Sequence, residues 1–448
     1  MNVIWFCIDT LRADHLGCYG YFRDTSPTID RLARQGVLFR DSHASAVATG
    51  PGFTSLITGR AAINHEFYLT PFRWPDLINF SDAIPTIPEM IQDRGGITTA
   101  AFDNLMNFAS HMKQFVRGFE FYINVTRTSR PIHHHVPGDW VNARLLPWLR
   151  QHADEQFFLF VHYWDPHGPY NQPDEYWTLF RHRKGDLSDL KVERAPAGYE
   201  YVPGWGKVGE FFEAEEVPMP PDRFNRHRPS IDLYDGEIRF TDDLIAEVLQ
   251  TLEEAGILDD TAVLITADHG EQLGQHGLYG HAGLHEANIH IPLVLWRPGV
   301  VPEGKVVEGF VQQADVGPTI LDLLGVEPQG KLDGRSLLPL ARGEVSPPAS
   351  MVAEETGERC LLREGWKYIW HYPGEVTAFE WPYCGRDELY HYAADPMEVV
   401  NLIEDEPERA AEMRAELEEW VRTQLAGRED PLPAQADLMA EIFRRERK

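Results

Sequence analysis

Cysteine is scarce in this chain: four residues in 448, at Cys7, Cys18, Cys360 and Cys384. None has the paired spacing of a zinc or dithiol motif, so a thiolate metal centre and redox exchange are excluded, and reduced structural thiols are expected. Long apolar runs are absent as well. Nothing approaches the ~18 residues of a membrane-spanning helix. Positive charge is short: 41 Lys and Arg stand against 70 Asp and Glu, a net charge of −29. That balance excludes nucleic acid and anionic membrane as partners. It also disfavours a polyanionic substrate and suits a small ester, with a metal or local cations to offset repulsion. No internal repeat is present. The opening residues, from Met1 to Ile8, have neither a basic leader region nor a small-residue cleavage site. They read as a buried strand that begins at once, and a cytoplasmic protein is expected. The sequon Asn124-Val125-Thr126 would then go unused.

What the chain does contain is alternation. The length suits two or three domains, or one large domain with an appendage, and 43% hydrophobic content can fill a large core. Short apolar runs rich in β-branched and aromatic residues predict strands at 3–8, 98–102, 157–162, 262–266 and 292–296. Helical spacing of Ile238, Ile245, Val248, Leu249 and Leu252 predicts a helix over 234–255, stopped by Gly256. A second helix is expected over 315–324, with Pro318 near its start and Gly325 just past its end. The fold class is therefore α/β: a large, mostly parallel sheet sandwiched by helices. Residues 1–342 form the expected catalytic domain. Within it, 173–229 lacks periodicity and is expected to act as a substrate lid. Residues 343–448 read as a smaller α+β subdomain. Its antiparallel strands lie within 351–372 and 388–392, followed by a helix over 406–425 and a solvated basic end.

Ligands of open parallel sheets gather at the carboxyl ends of strands. The first predicted strand runs into Asp9, and the fourth into Ala267-Asp268-His269-Gly270-Glu271. Two carboxylates and an imidazole, with the hydroxyl of Thr49, would form an O,O,O,N set. That set favours one Mn²⁺ or Zn²⁺ ion over Ca²⁺ or Mg²⁺. Taken singly, Asp9 could as well cap a helix, and Asp-His-Gly could be an ordinary turn. Glu271 is expected to brace the metal loop, His162 to be a core residue, and His133, His134 and His135 to lie in a loop. His276, seven residues after His269, is the residue a second ion would use.

The segment Thr49-Gly50-Pro51-Gly52-Phe53-Thr54-Ser55-Leu56-Ile57-Thr58-Gly59-Arg60 resembles the sulfatase signature Cys/Ser-x-Pro-Ser-Arg-x-x-Leu-x-Thr-Gly. The resemblance extends to residues 8–20, to Ser26-Pro27-Thr28, to the Asp165-Pro166-His167 block, to 266–277 and 286–299, and to Glu388-Leu389-Tyr390. It implies the sulfatase-like branch of the alkaline phosphatase superfamily and its alkaline-phosphatase-like fold. It also implies metal ligands at Asp9, Thr49, Asp268 and His269. His167 and His281 would bind substrate oxygens or protonate the leaving group. Asn104 and Arg60 would line the substrate pocket, a structural hydrogen bond being the alternative for each. Three positions depart from sulfatases: Thr49 replaces the formylglycine precursor, Thr10 a second aspartate, and His281 a lysine. A secondary alcohol cannot become formylglycine. The resemblance is therefore to the threonine-nucleophile branch, which includes phosphodiesterases and is akin to phosphonate monoester hydrolases. The implied activity is metal-dependent hydrolysis of small phosphate or phosphonate esters through a phosphothreonine intermediate. The alternatives are a sulfuric ester hydrolase working without formylglycine and a non-catalytic binding protein of the same fold. A homo-oligomer stays open.

Overall fold

The computed structural model describes residues 1–68, 80–105, 113–126, 136–168, 170–180, 201–202, 206–207, 231–273, 275–277, 279–281, 283–373 and 386–446. Most of the 173–229 insertion lies outside them, as do Cys384 and the 133–135 histidines.

Eight strands form the main sheet. In chain order they are β1 (Asn2–Ile8), β2 (Val37–His43), β3 (Thr98–Asp103), β4 (Phe121–Asn124), β5 (Phe157–Tyr163), β8 (Thr261–Ala267), β11 (Leu293–Trp296) and β12 (Lys305–Gln312). Their spatial order is β12-β2-β11-β8-β1-β5-β3-β4. Pairs of two-residue strands, β6 (Tyr201–Val202) with β7 (Gly206–Lys207) and β9 (Gln272–Leu273) with β10 (Tyr279–Gly280), form separate ladders. All five predicted strands are present. The one at 292–296 runs antiparallel to both its neighbours, while every other pairing in the sheet is parallel.

Side chains of β1 alternate between two cores, one on each face of the sheet. Ile4, Phe6 and Ile8 enter one, and Val3, Trp5 and Cys7 enter the other. Each such side chain contributes about 1.5–3 kcal/mol on burial, so the central strand is pinned from both sides. The helix Ile231–Glu254 lays Ile238, Ile245, Val248, Leu249 and Leu252 into the first core. The helix Thr49–Thr58 belongs to the second face, through Phe53, Leu56 and Ile57.

The smaller sheet is antiparallel, in the order β13 (Ser350–Glu355), β14 (Glu358–Arg363), β15 (Trp366–His371), β16 (Glu388–Tyr390). The helix Pro407–Leu425 covers it with Ala410, Met413 and Leu417. A further helix, Pro431–Glu446, follows, with Leu432 buried against Ala46, Ala62 and Tyr68 of the larger unit. Cys7, Cys18 and Cys360 form no disulfide. No described helix is long and apolar enough to cross a membrane.

Candidate active site

Register places the site. In the parallel pair β1 and β8, Ile8 lies opposite Ala267, and in β1 and β5 Ile8 lies opposite Tyr163. The next residues are Asp9, Asp268 and Trp164, so three adjacent strands deliver their loops to one edge. Asp9, Asp268 and His269 are fully buried there, and their ligand-capable atoms lie within 4.8 Å of one another. The buried helix Thr49–Thr58 meets them with its first turn: Thr49 Oγ1 is 3.4 Å from His269 Nε2. Two backbone features allow this approach. Ala48, just before the helix, has φ 72°. At Gly52 an added Cβ would stand 2.8 Å from the Asp268 carbonyl oxygen, so only glycine lets the helix seat this closely.

The donor set fits a cation. His269 Nδ1 is 2.8 Å from the Gly270 carbonyl, so Nδ1 carries the proton and Nε2 presents its lone pair. Asp268 Oδ1 accepts from the Thr10 amide at 3.1 Å and its own neighbour's amide, His269 N, at 2.9 Å. Its Oδ2 accepts no hydrogen bond, nor does either oxygen of Asp9, and all three atoms are buried. His162 Nε2 stands 3.5 Å from Asp9 Oδ2 and His269 Nε2 3.3 Å from Asp268 Oδ2; buried carboxylate oxygens short of hydrogen bonds are costly, and a divalent ion would satisfy all three at once.

Electrostatics agree. Burial, then repulsion from Asp268, raises the Asp9 carboxyl above its ordinary value, and burial pushes Asp268 up to about 6. Burial pulls His269 down to about 4, with His281 adding to the effect, so its ring is the neutral form a metal needs. His162 was expected in the core and is fully buried, but its place is electrostatic as well. It stands between Asp9, at 3.5 Å, and Asp103, at 3.6 Å. Burial opposes a charged ring there, yet the two carboxylates hold it up at about 9.

His281 and His167 come to the same place. The His281 ring lies 4.7 Å from that of His269 and 5.3 Å from that of His167. Burial pulls His281 down, and Glu271, with Asp9 and Asp268 behind it, more than compensates, leaving it above its ordinary value. Glu271 Oε2 is 3.9 Å from His281 Nδ1. Asn104 is close but engaged: its Nδ2 donates to the Val136 carbonyl at 2.7 Å and its Oδ1 accepts from Trp164 N at 2.8 Å. That is the structural alternative named above, and it anchors the His167 loop. Arg60 follows the left-handed cap Gly59, at the end of the helix opposite Thr49. His276 stacks on His285 at 3.9 Å. Among the described residues the one cluster of three or more His, Cys, Asp or Glu able to hold an ion is Asp9, Asp268 and His269, without His276.

Two braces have no local sequence signal. Gln313 donates to the Asp268 carbonyl and accepts from Ser45 N, tying the metal loop to the approach to Thr49. Arg12 Nη1 donates to the Glu271 carbonyl at 3.0 Å.

The model of the sulfatase family matches residues 1–326. The chain belongs to the sulfatase family and is a hydrolase of ester bonds. It is 29% identical over 406 residues to the multifunctional alkaline phosphatase superfamily protein PehA of Trinickia caryophylli, covering 77% of this chain and 78% of that one. It is 28% identical over 280 residues to the choline-sulfatase of Rhizobium meliloti, covering 59% and 50%. The phosphonate monoester hydrolase of Agrobacterium radiobacter superposes with a TM-score of 0.73 at 22% identity, over 94% of this chain and 95% of that one. That likeness establishes the alkaline-phosphatase-like fold.

Proposed function

We propose that this protein hydrolyses small phosphate or phosphonate esters, with Thr49 as nucleophile and water as final acceptor. The observation that carries the reading is the Thr49 hydroxyl at the start of a buried helix, 3.4 Å from His269 Nε2 and beside the orphaned oxygens of Asp9 and Asp268. Asp9, Asp268, His269 and Thr49 would hold one divalent ion, Mn²⁺ or Zn²⁺ by the mixture of donors. Such an ion would acidify the Thr49 hydroxyl and draw off charge that builds on the phosphoryl oxygens.

The chain's own groups do the rest. Thr49 Oγ1, its proton released to solvent, attacks phosphorus as the alkoxide and the bond to the leaving oxygen breaks, giving phosphothreonine and, once protonated, an alcohol. The first-turn amides of the Thr49 helix and its dipole favour the anion that forms. His281, held above its ordinary value, gives a proton to the departing oxygen, and His167 binds a nonbridging oxygen. In the second half His281 takes a proton from water as that water attacks phosphothreonine, which releases phosphate or phosphonate and restores Thr49.

Sulfate esters are the competing substrates, because choline-sulfatase is among the relatives. Thr49 argues against them, since formylglycine cannot be made from a secondary alcohol. The test is a panel of aryl phosphate diester, phosphate monoester, phosphonate monoester and sulfate ester. The phosphorus esters should have the higher kcat/KM, and a higher value for the sulfate overturns the assignment.

A further inference from the structure

We propose that Glu355, at the end of β13 in the smaller sheet, is a positioning residue for His281: it grips the backbone two residues beyond that histidine and fixes where the ring stands. The inference rests on the proton-transfer role of His281 proposed above.

The grip is direct. Glu355 Oε2 accepts the Gly283 amide at 2.6 Å, in a buried contact spanning 72 residues of sequence. Gly283 has φ +89°, a left-handed turn that glycine adopts without strain. Its carbonyl accepts from Asn288 Nδ2 at 2.8 Å. The residues that follow are held by the same sheet: Lys367 Nζ donates to the Leu284 carbonyl at 3.1 Å, and His285 Nε2 stands 3.2 Å from Glu388 Oε2. The backbone from Gly283 onward is thus set by the antiparallel sheet, while the His281 ring faces His269, carried by the parallel one. Burial and the neighbouring Glu358 push the Glu355 carboxyl well above its ordinary value, so this acid is kept at an unfavourable place. An apolar residue would fill the volume, but it would leave the Gly283 amide without its acceptor.

Reach and charge can be separated. Glu355→Gln keeps the length and a carbonyl acceptor but loses the charge. Glu355→Asp keeps the charge and withdraws the oxygen by one methylene. Turnover is measured on the metal-loaded enzyme with aryl phosphonate monoesters of graded leaving-group acidity. Amide hydrogen exchange is followed in parallel on the peptide that carries His281 and Gly283. In E355D we expect lost protection of that peptide. We also expect kcat to fall on the order of 10- to 100-fold for poor leaving groups, with less effect on good ones and an unchanged KM and metal content. E355Q should recover most of the turnover and the protection. Unaltered exchange in E355D overturns the grip itself. Altered exchange with wild-type kcat for poor leaving groups overturns positioning, provided His281→Ala slows the same substrates. If His281→Ala leaves them unaffected, the role of His281 fails and the inference falls with it, whereas the exchange data still report on the contact.

Discussion

Replacing Thr49 by alanine separates chemistry from folding. The side chain is buried, and among the described residues its hydroxyl has one side-chain partner, His269 Nε2 at 3.4 Å. That distance is at the weak end for a hydrogen bond. Losing the methyl costs about 0.8 kcal/mol of burial. Alanine returns up to ~0.7 kcal/mol as the better helix former. The net change should be within about 1 kcal/mol, a small shift in a thermal melt. Turnover loses both the nucleophile and one expected ligand, so kcat should fall on the order of 10²-fold or more. Thr49→Ser keeps the oxygen and should keep part of the activity. Rapid acid quench followed by intact-mass measurement should show a phosphoryl adduct on the wild type and none on T49A. A T49A enzyme that turns over near the wild-type rate refutes the reasoning: water would then attack directly, and Thr49 would be a ligand only.

Asp268→Asn keeps the Oδ1 acceptor for Thr10 N and His269 N but sets an amide where a ligand oxygen should be. Metal analysis should find the ion lost and activity gone. The metal-free variant should melt above the metal-free wild type because repulsion with Asp9 is relieved; full occupancy by metal defeats the ligand assignment. Gly52→Ala places a methyl 2.8 Å from the Asp268 carbonyl, so helix and loop must part, at about 1–3 kcal/mol; a variant with native melting temperature and turnover contradicts the close seating. His65 governs part of the acid response. Its Nδ1 accepts from Phe67 N at 3.2 Å and its Nε2 faces Ser55 Oγ at 3.1 Å, and burial, with Arg60 adding, holds it down at about 3. The unfolded chain therefore takes up this proton first: wild-type stability should fall by about 1.4 kcal/mol per pH unit from ~6.5 toward ~3. In His65→Asn that component should vanish from the denaturant-melt pH profile, and equal slopes for the two proteins would disprove it.

Legibility in the sequence followed burial. β1, β5 and β8 are buried along their whole length, so their apolar runs declared them. β2 escaped notice because Arg40 and Asp41 interrupt it where it is half-buried, and β12 because it is an edge strand with Lys305, Glu308 and Gly309 in it. The helix Pro431–Glu446 was hidden by Pro431 and Pro433 at its start and by its charge; tertiary contact of Leu432 outweighs both. The cluster of Asp9, Asp268 and His269 was readable for the same reason as the strands, since a residue next after a buried parallel strand has little choice of place.

The remaining site residues depend on contacts that no local pattern encodes. His162 alternates with Phe158 and Phe160 on one face of β5, and by that spacing it is a core residue. What makes it electrostatic is that β1 and β3 flank β5, with Asp9 just after β1 and Asp103 at the end of β3. The meaning of the histidine is thus fixed by strand order, which a single strand's pattern does not carry. The same holds for Gln313 and Glu355, which accept or donate across 45 and 72 residues. The clustering of Asp9, Asp268 and His269 was legible where one strand end sufficed, and the contacts around it were missed where two or three elements had to meet. A site of this kind is specified twice: its reactive atoms by position after a strand, and their orientation by the packing of neighbours. The second specification is why Glu355 and Gly52, neither of them reactive, are the substitutions to which geometry should be most sensitive.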